Sequence, residues 1–172
     1  MNSKLKFIFS RRSIRKYQGR PVPEEMVNDL LEAAMAAPSA VAKDPWHFIV
    51  VQNRETLDSI ADVLPHGKML REAPLALIVC GDINLANLQQ ESYLLQDLSA
   101  AVENILLGAN ALGLGTCWLG IHPRADRLAG IRQLFELPDH IIPMCGIAVG
   151  WPAEQPQART RYRKERVHRE KW

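Results

Sequence analysis

The sequence predicts a one-domain sandwich of helices and strands, of the α+β or α/β class. Three observations lead there. Runs rich in β-branched and aromatic residues alternate with stretches of helical period. The 172 residues fit one domain, 1–172, with enough chain to bury a real core. Apolar residues make up 47% and charged residues 23%, the balance of an ordinary globular protein.

The elements follow in order. Lys4 to Ser10 reads as a short helix running into an arginine-rich turn. Pro23-Glu24-Glu25 is a helix start, because proline suits the first turn and acids there complement the helix dipole. Val27, Leu30, Leu31, Ala34 and Met35 continue it at helical spacing, and Pro38 stops it at Ala37. Trp46 to Gln52 reads as a strand, with Trp46 and Phe48 as core aromatics. Arg54 to Leu64 is an amphipathic helix broken by Pro65, His66 and Gly67, and Leu75 to Cys80 is a buried strand. Ser92 to Leu112 is the longest helix, ending at Gly113. Its apolar arc is wide enough to make it either central or part of a subunit interface. Thr116 to Ile121 is a short strand, Ala125 to Phe135 a helix, and Ile141 to Trp151 a strand run punctuated by Pro143 and Gly146. Residues 152–172 are expected to form an extended tail, rich in charge and poor in core residues.

Composition narrows the function classes. No apolar run is long enough to cross a bilayer, and residues 1–16 lack a secretory h-region, so a cytoplasmic address and no membrane partner are expected. Cys80, Cys117 and Cys145 are widely spaced in apolar stretches and read as buried reduced thiols. A nucleophile at Cys117 is the other reading, with no base nearby in sequence. The five histidines show no zinc spacing, and neither a P-loop nor a G-x-S-x-G is present. Asp97 and Glu103 read as polar-face carboxylates of the long helix.

Charge is uneven. The net +2 conceals two basic ends, Arg11, Arg12, Arg15, Lys16 and Arg20 at one and Arg159 to Lys171 at the other, around a nearly balanced middle. Arg11-Arg12-Ser13-Ile14-Arg15 reads either as a phosphate site, since guanidinium forks match phosphate oxygens, or as a solvated basic turn. Arg159-Thr160-Arg161 gains meaning only if it adds donors to that cluster. The small-residue loop at Ala36 to Ala40 lets backbone approach a planar ligand. Gly113-Leu114-Gly115 is not a dinucleotide fingerprint, because Trp118 stands at the third glycine position and the segment leaves a helix for a strand.

Taken together, these segments resemble the nitroreductase family of flavoproteins over essentially the whole chain. The R-R-S-x-R-x-Y pattern is Arg11 to Tyr17. A-P-S and P-W-x-F are Ala37 to Ser39 and Pro45 to Phe48. G-L-G-T-x-W-x-G is Gly113 to Gly120, and G-W-P is Gly150 to Pro152, ahead of basic residues and the closing Trp172. The resemblance implies an α+β three-layer sandwich with a mainly antiparallel central sheet, in an intertwined homodimer binding FMN at the interface. It implies that Arg11, Ser13 and Arg15 hold the phosphate and ribityl chain, with Arg12 adjacent and Arg159 or Arg161 closing on the same phosphate. Pro38, Ser39 and Ala40 would touch the flavin from the partner subunit. Leu119 and Gly120 would pass their backbone beside the ring near N5, and Lys68 would lie near its pyrimidine edge. Ala42 and Asp44 stand where many relatives carry Asn and Gln, which alters two amide contacts.

The activity implied is hydride transfer from NADH or NADPH through FMN to a small organic acceptor such as a nitroaromatic or quinone, with no protein nucleophile. The alternatives are reductive dehalogenation or flavin breakdown on the same scaffold, for which the stretch between Gly81 and Tyr93 is short, and a nucleic-acid module built on the basic ends. The balanced middle and missing RNP pattern argue against the last, so no nucleic-acid partner is expected.

Overall fold

A computed structural model describes residues 2–172, so Met1 of the expected domain lies outside the described residues. Pro23 precedes α2 (Glu24–Met35), whose first turn carries Glu24 and Glu25 and whose inner face buries Val27, Leu30 and Ala34. It follows the short α1 (Lys6–Ser10) and ends two residues before Ala37, leaving Pro38 to open the next loop. In α3 (Arg54–Val63), Asn53 caps the N-terminus by accepting from the Thr56 N–H at 3.0 Å. The long α4 (Glu91–Ala111) buries residues over a wide arc, from Leu94 and Leu98 to Ile105 and Ala109. Gly113 ends its turn at a φ of +77°, a left-handed conformation that glycine adopts without strain. The last helix, α5, spans Ala125–Phe135.

Four strands form one sheet: β1 (Trp46–Val51), β2 (Leu75–Asp82), β3 (Gly115–Gly120) and β4 (Ile141–Gly150). The order is β1-β2-β4-β3 and every pairing is antiparallel, which decides for α+β. Pro143 cannot donate to the ladder, and the register shifts by one residue between Val79 and Cys80 opposite it, a bulge that lets β4 continue past the proline.

The period of two along β2 makes three layers. Leu75, Leu77 and Val79 face a core shared with α2 and α4, while Ala76, Ile78 and Cys80 face a second core shared with α3 and α5. Trp46 belongs to the first core and Phe48 packs against it. Full burial of each Leu or Ile contributes roughly 1.5–3 kcal/mol. Residues 152–172 carry no helix or strand beyond a short turn at Lys164–Arg166, and most of them are exposed.

All three cysteines are free and buried. Burial pushes the Cys80 thiol up to about 12, and those of Cys117 and Cys145 also rise, desolvation being the main cause in each. Cys117 is thus buried, as its apolar stretch led one to expect. An acid whose folded pKa is raised keeps its proton longer in the folded state, so stability is complete below the unfolded thiol pKa near 9 and falls as pH rises from about 9 toward 12. Thermal melts across that range should show Tm dropping, and native thiols at pH 8 should react with a disulfide reagent only after unfolding.

Candidate flavin-nucleotide site

The two basic ends meet at the outer edge of β3. Residues 11–17 run beside it, with the Ile14 N–H donating to the Thr116 carbonyl at 2.8 Å and a parallel bridge between Ser13 and Thr116. The chain leaving β4 crosses the same segment. The Gln18 N–H donates to the Trp151 carbonyl and the Ala153 N–H to the Lys16 carbonyl, both at 2.9 Å. One Glu154 carboxylate oxygen accepts from the Arg15 N–H at 2.5 Å and the Lys16 N–H at 3.2 Å. Trp151 lies under the Arg20 guanidinium, 4.2 Å from its ring centre, and gives its indole N–H to the Pro21 carbonyl. The Tyr17 hydroxyl, buried within this junction, donates to the Ile14 carbonyl at 2.7 Å. Desolvation, then Cys117 and Glu154, raise its pKa well above the phenol range, so it remains a donor.

This junction frames an open cavity of about 540 Å3, lined by Arg11, Arg12 and Thr116 on one side and by Glu154 to Ala158 of the tail on the other. Arg12 is half-buried, and its Nε is buried without a hydrogen-bond partner. Its guanidinium is pulled below the ordinary arginine range by desolvation first, then by the positive charges of Arg159, Arg11 and Arg161. The structure thus brings both termini into one positive field. Arg11 reaches Glu103 at 3.9 Å, while Arg159 and Arg161 line a neighbouring opening with Arg163 and Arg166. A set of like charges with an orphaned buried N–H suits a multiply charged anion such as a phosphate ester.

Arg15 points elsewhere. It lines a smaller cavity of about 140 Å3 with Cys117, Trp118, Leu119, Gly120, His66 and Arg127. Because the Thr116 carbonyl faces outward to Ile14, strand alternation turns the N–H and C=O groups of Trp118 and Gly120 outward too. The Gly120 carbonyl accepts from Arg127 Nη1 at 2.7 Å, which leaves the Trp118 and Gly120 N–H groups as donors along the edge. Leu119 has its side chain in the core and its backbone turned toward β4.

Pro38, Ser39 and Ala40 line neither cavity. Their loop is set by internal bonds: the Ser39 hydroxyl donates to Asp44 Oδ1 at 2.5 Å and accepts from the Asp44 N–H at 3.0 Å. Val41, Ala42 and Asp44 all hold positive φ near +50°, a strained region for such residues. The Ala40 N–H donates to Asp97 Oδ1 at 2.8 Å. Asp97 is only 5% exposed, which corrects its expected place on a polar helix face, whereas Glu103 is exposed. Lys68, exposed on the turn Lys68–Arg71, lines neither cavity. Sequence reasoning missed Glu154 and Arg127, and it named Asp97 but put it on the wrong face of the helix. Their partners are backbone groups, distant in the chain for Glu154 and Asp97 and seven residues away for Arg127, and such partners leave no residue pattern.

Comparison with known proteins identifies the family. A sequence profile described as "Nitroreductase family" matches residues 8–66 and 63–151. A Methanothermobacter thermautotrophicus protein named "Putative NADH dehydrogenase/NAD(P)H nitroreductase" is 51% identical over 168 residues, covering 98% of this chain and 87% of the relative. A Parabacteroides distasonis crystal structure bearing the same name superposes with a TM-score of 0.93 at 39% identity, covering all of both chains. A Desulfovibrio desulfuricans structure solved in complex with FMN matches with a TM-score of 0.85 at 30% identity, over 100% of this chain and 99% of that one. With the three-layer antiparallel fold and the converging arginines in place, the chain belongs to the nitroreductase family.

Proposed function

We propose that this protein is an FMN-dependent oxidoreductase carrying hydride from NADH or NADPH to a small organic acceptor, such as a nitroaromatic or a quinone. The observation that carries the reading is Arg12, whose buried Nε lacks a partner among converging like charges. Arg11, Arg12 and Ser13, with Arg159 or Arg161 from the tail, bind the phosphate. The Gly120 N–H orients the ring at the β3 edge. When bound, the flavin supplies the redox chemistry, taking hydride from the nicotinamide and passing it to the acceptor. Arg15 lines the β3 cavity and is the cation placed to stabilise negative charge developing there, a role for which Lys68 is less well placed.

The working unit we propose is a homodimer. Pro38 to Ala40 line neither cavity of their own chain, and in this reading they touch the flavin of a second copy. Phe7, Ile8 and Met35 are large apolar side chains exposed at 42%, 40% and 54%, and the tail has little core of its own. A partner subunit would cover both. No helix among the described residues is long and apolar enough to cross a membrane, and the three free thiols suit a reducing cytoplasm.

The test is an absorbance scan. The purified protein should be yellow, with a flavin spectrum that NADH or NADPH bleaches under anaerobic conditions and that an added nitroaromatic or quinone restores. A colourless protein that takes up no added FMN would sink the reading.

A further inference from the structure

We infer that Asp97 is a positioning residue acting across the subunit boundary: from the middle of α4 it holds the Pro38–Ala40 loop of its own chain against the flavin of a second copy. That the loop meets a flavin rests on the reading above; that Asp97 holds the loop rests on the geometry of one chain.

Two side chains of α4 grip the two ends of one segment. Asn104 Nδ2 donates to the carbonyl of Ala33, in the last turn of α2, at 2.9 Å. Asp97 Oδ1 accepts from the Ala40 N–H at 2.8 Å. Positions 97 and 104 lie two helical turns apart, so they share one face and stand about 10 Å apart along the axis. Pro38 and Ser39 are strung between the two grips. Among the described residues, the Ala40 bond is the only hydrogen bond from residues 38–44 to another element. The others, Ser39 with Asp44 and the Ala42 N–H with the Ser39 carbonyl, close the loop on itself. Val41, Ala42 and Asp44 hold positive φ, which persists only where the surroundings impose it.

Stability alone does not explain the grip. Asp97 is 5% exposed on the inner face of α4, and its Oδ2 is buried without a partner. An apolar residue of similar volume would fill the same place and leave no orphaned oxygen, but it could not accept from Ala40. The competing explanation is that Asp97 merely ties the loop to α4 as part of the fold. The two differ in whether flavin binding follows the bond.

Amide exchange of flavin-free protein and flavin titration separate them, both read well below the melting temperature. In Asp97→Leu the Ala40 amide should exchange at least tenfold faster, with the β2 amides unchanged. The ligand must then order a loosened loop, so FMN and riboflavin should both bind about tenfold more weakly. The factor should be the same for both, because small loop residues suit the planar ring rather than the phosphate. Asp97→Asn keeps an acceptor oxygen and should return exchange and affinity to within about threefold of wild type. Should Asp97→Leu fail to fold, Asp97→Ala is read in the same way. Mixed dimers with Asp97→Leu in one chain and Arg11→Ala plus Arg12→Ala in the other test the action across the boundary. If Asp97 serves the partner's flavin, both defects fall in one site, and the other keeps wild-type FMN affinity. No site of wild-type affinity overturns the proposal. So does unchanged Ala40 exchange in Asp97→Leu, or faster exchange with unchanged flavin affinity. A wild type that takes up no FMN defeats the flavin reading and this inference with it, while exchange still reports the Asp97 bond, so the two failures are distinguishable.

Discussion

Arg11→Ala combined with Arg12→Ala should weaken FMN binding by roughly 10²- to 10⁴-fold, while the flavin-free protein melts no lower than wild type. Each arginine lost removes a charge-assisted hydrogen bond to phosphate, worth roughly a factor of ten to a hundred in affinity. The effect on folding has the opposite sign from the usual truncation. Arg12 is desolvated and sits among Arg159, Arg11 and Arg161, and the desolvation first, then the field of these neighbours, disfavours its charged form. Removing it relieves repulsion and eliminates the buried, unpartnered Nε. Arg11 gives up only a long contact to Glu103 at 3.9 Å, a surface pair of little weight. Fluorescence titration with FMN and melting of the flavin-free protein measure the two quantities. Unchanged FMN affinity would overturn the phosphate assignment. A large fall in the flavin-free Tm would mean that the cluster serves the fold instead.

The contrast explains what could be seen in the sequence. Elements whose signal is local were legible: Pro38 ends α2, Gly113 ends α4, and the apolar run from Leu75 gives a strand buried on both faces. The sheet order was not legible, because β2 pairs with β4 across α4, β3 and α5, and no residue type encodes that choice. At the site, arginine clusters are visible by composition, and their meeting was an expectation tied to family likeness. What brings the ends together is mostly backbone: the Gln18 and Ala153 N–H bonds, with Glu154 clasping two amides. A backbone bond can be made by almost any residue, so it leaves no trace in a sequence. Asp97 shows the same limit. On helical period it belongs with the polar residues of α4, yet the Ala40 N–H gives it a reason to be buried. Its unpartnered Oδ2 has no account within one subunit.

Gly115→Ala should uncouple the nucleotide site from the fold. A Cβ built on Gly115 would lie 2.8 Å from both Cβ and Cγ1 of Ile14 and 2.9 Å from its Cγ2. Ile14 is β-branched, so no rotamer change clears the contact, because its Cβ moves only with the backbone. That backbone is the segment carrying Arg11, Arg12 and Arg15, and Ile14 anchors it to β3 through the bond to the Thr116 carbonyl. The segment must therefore lift off the strand edge. Overpacking of this kind costs about 1–3 kcal/mol, and the displaced bond adds about 0.5–1.5 kcal/mol. The sheet itself should survive, since β3 is an edge strand whose ladder to β4 does not involve the outward face. The expected result is an antiparallel core with near-native far-ultraviolet dichroism, a Tm lowered by several degrees, and FMN affinity reduced at least tenfold. Gly19→Ala is the useful control. Nothing lies within 4 Å of its added Cβ and it is not among the residues lining the nucleotide cavity, so its FMN affinity should stay within about twofold of wild type. If Gly115→Ala binds FMN as wild type does, the N-terminal segment is not held by its contact with β3, and the arginine cradle owes its position to the tail alone.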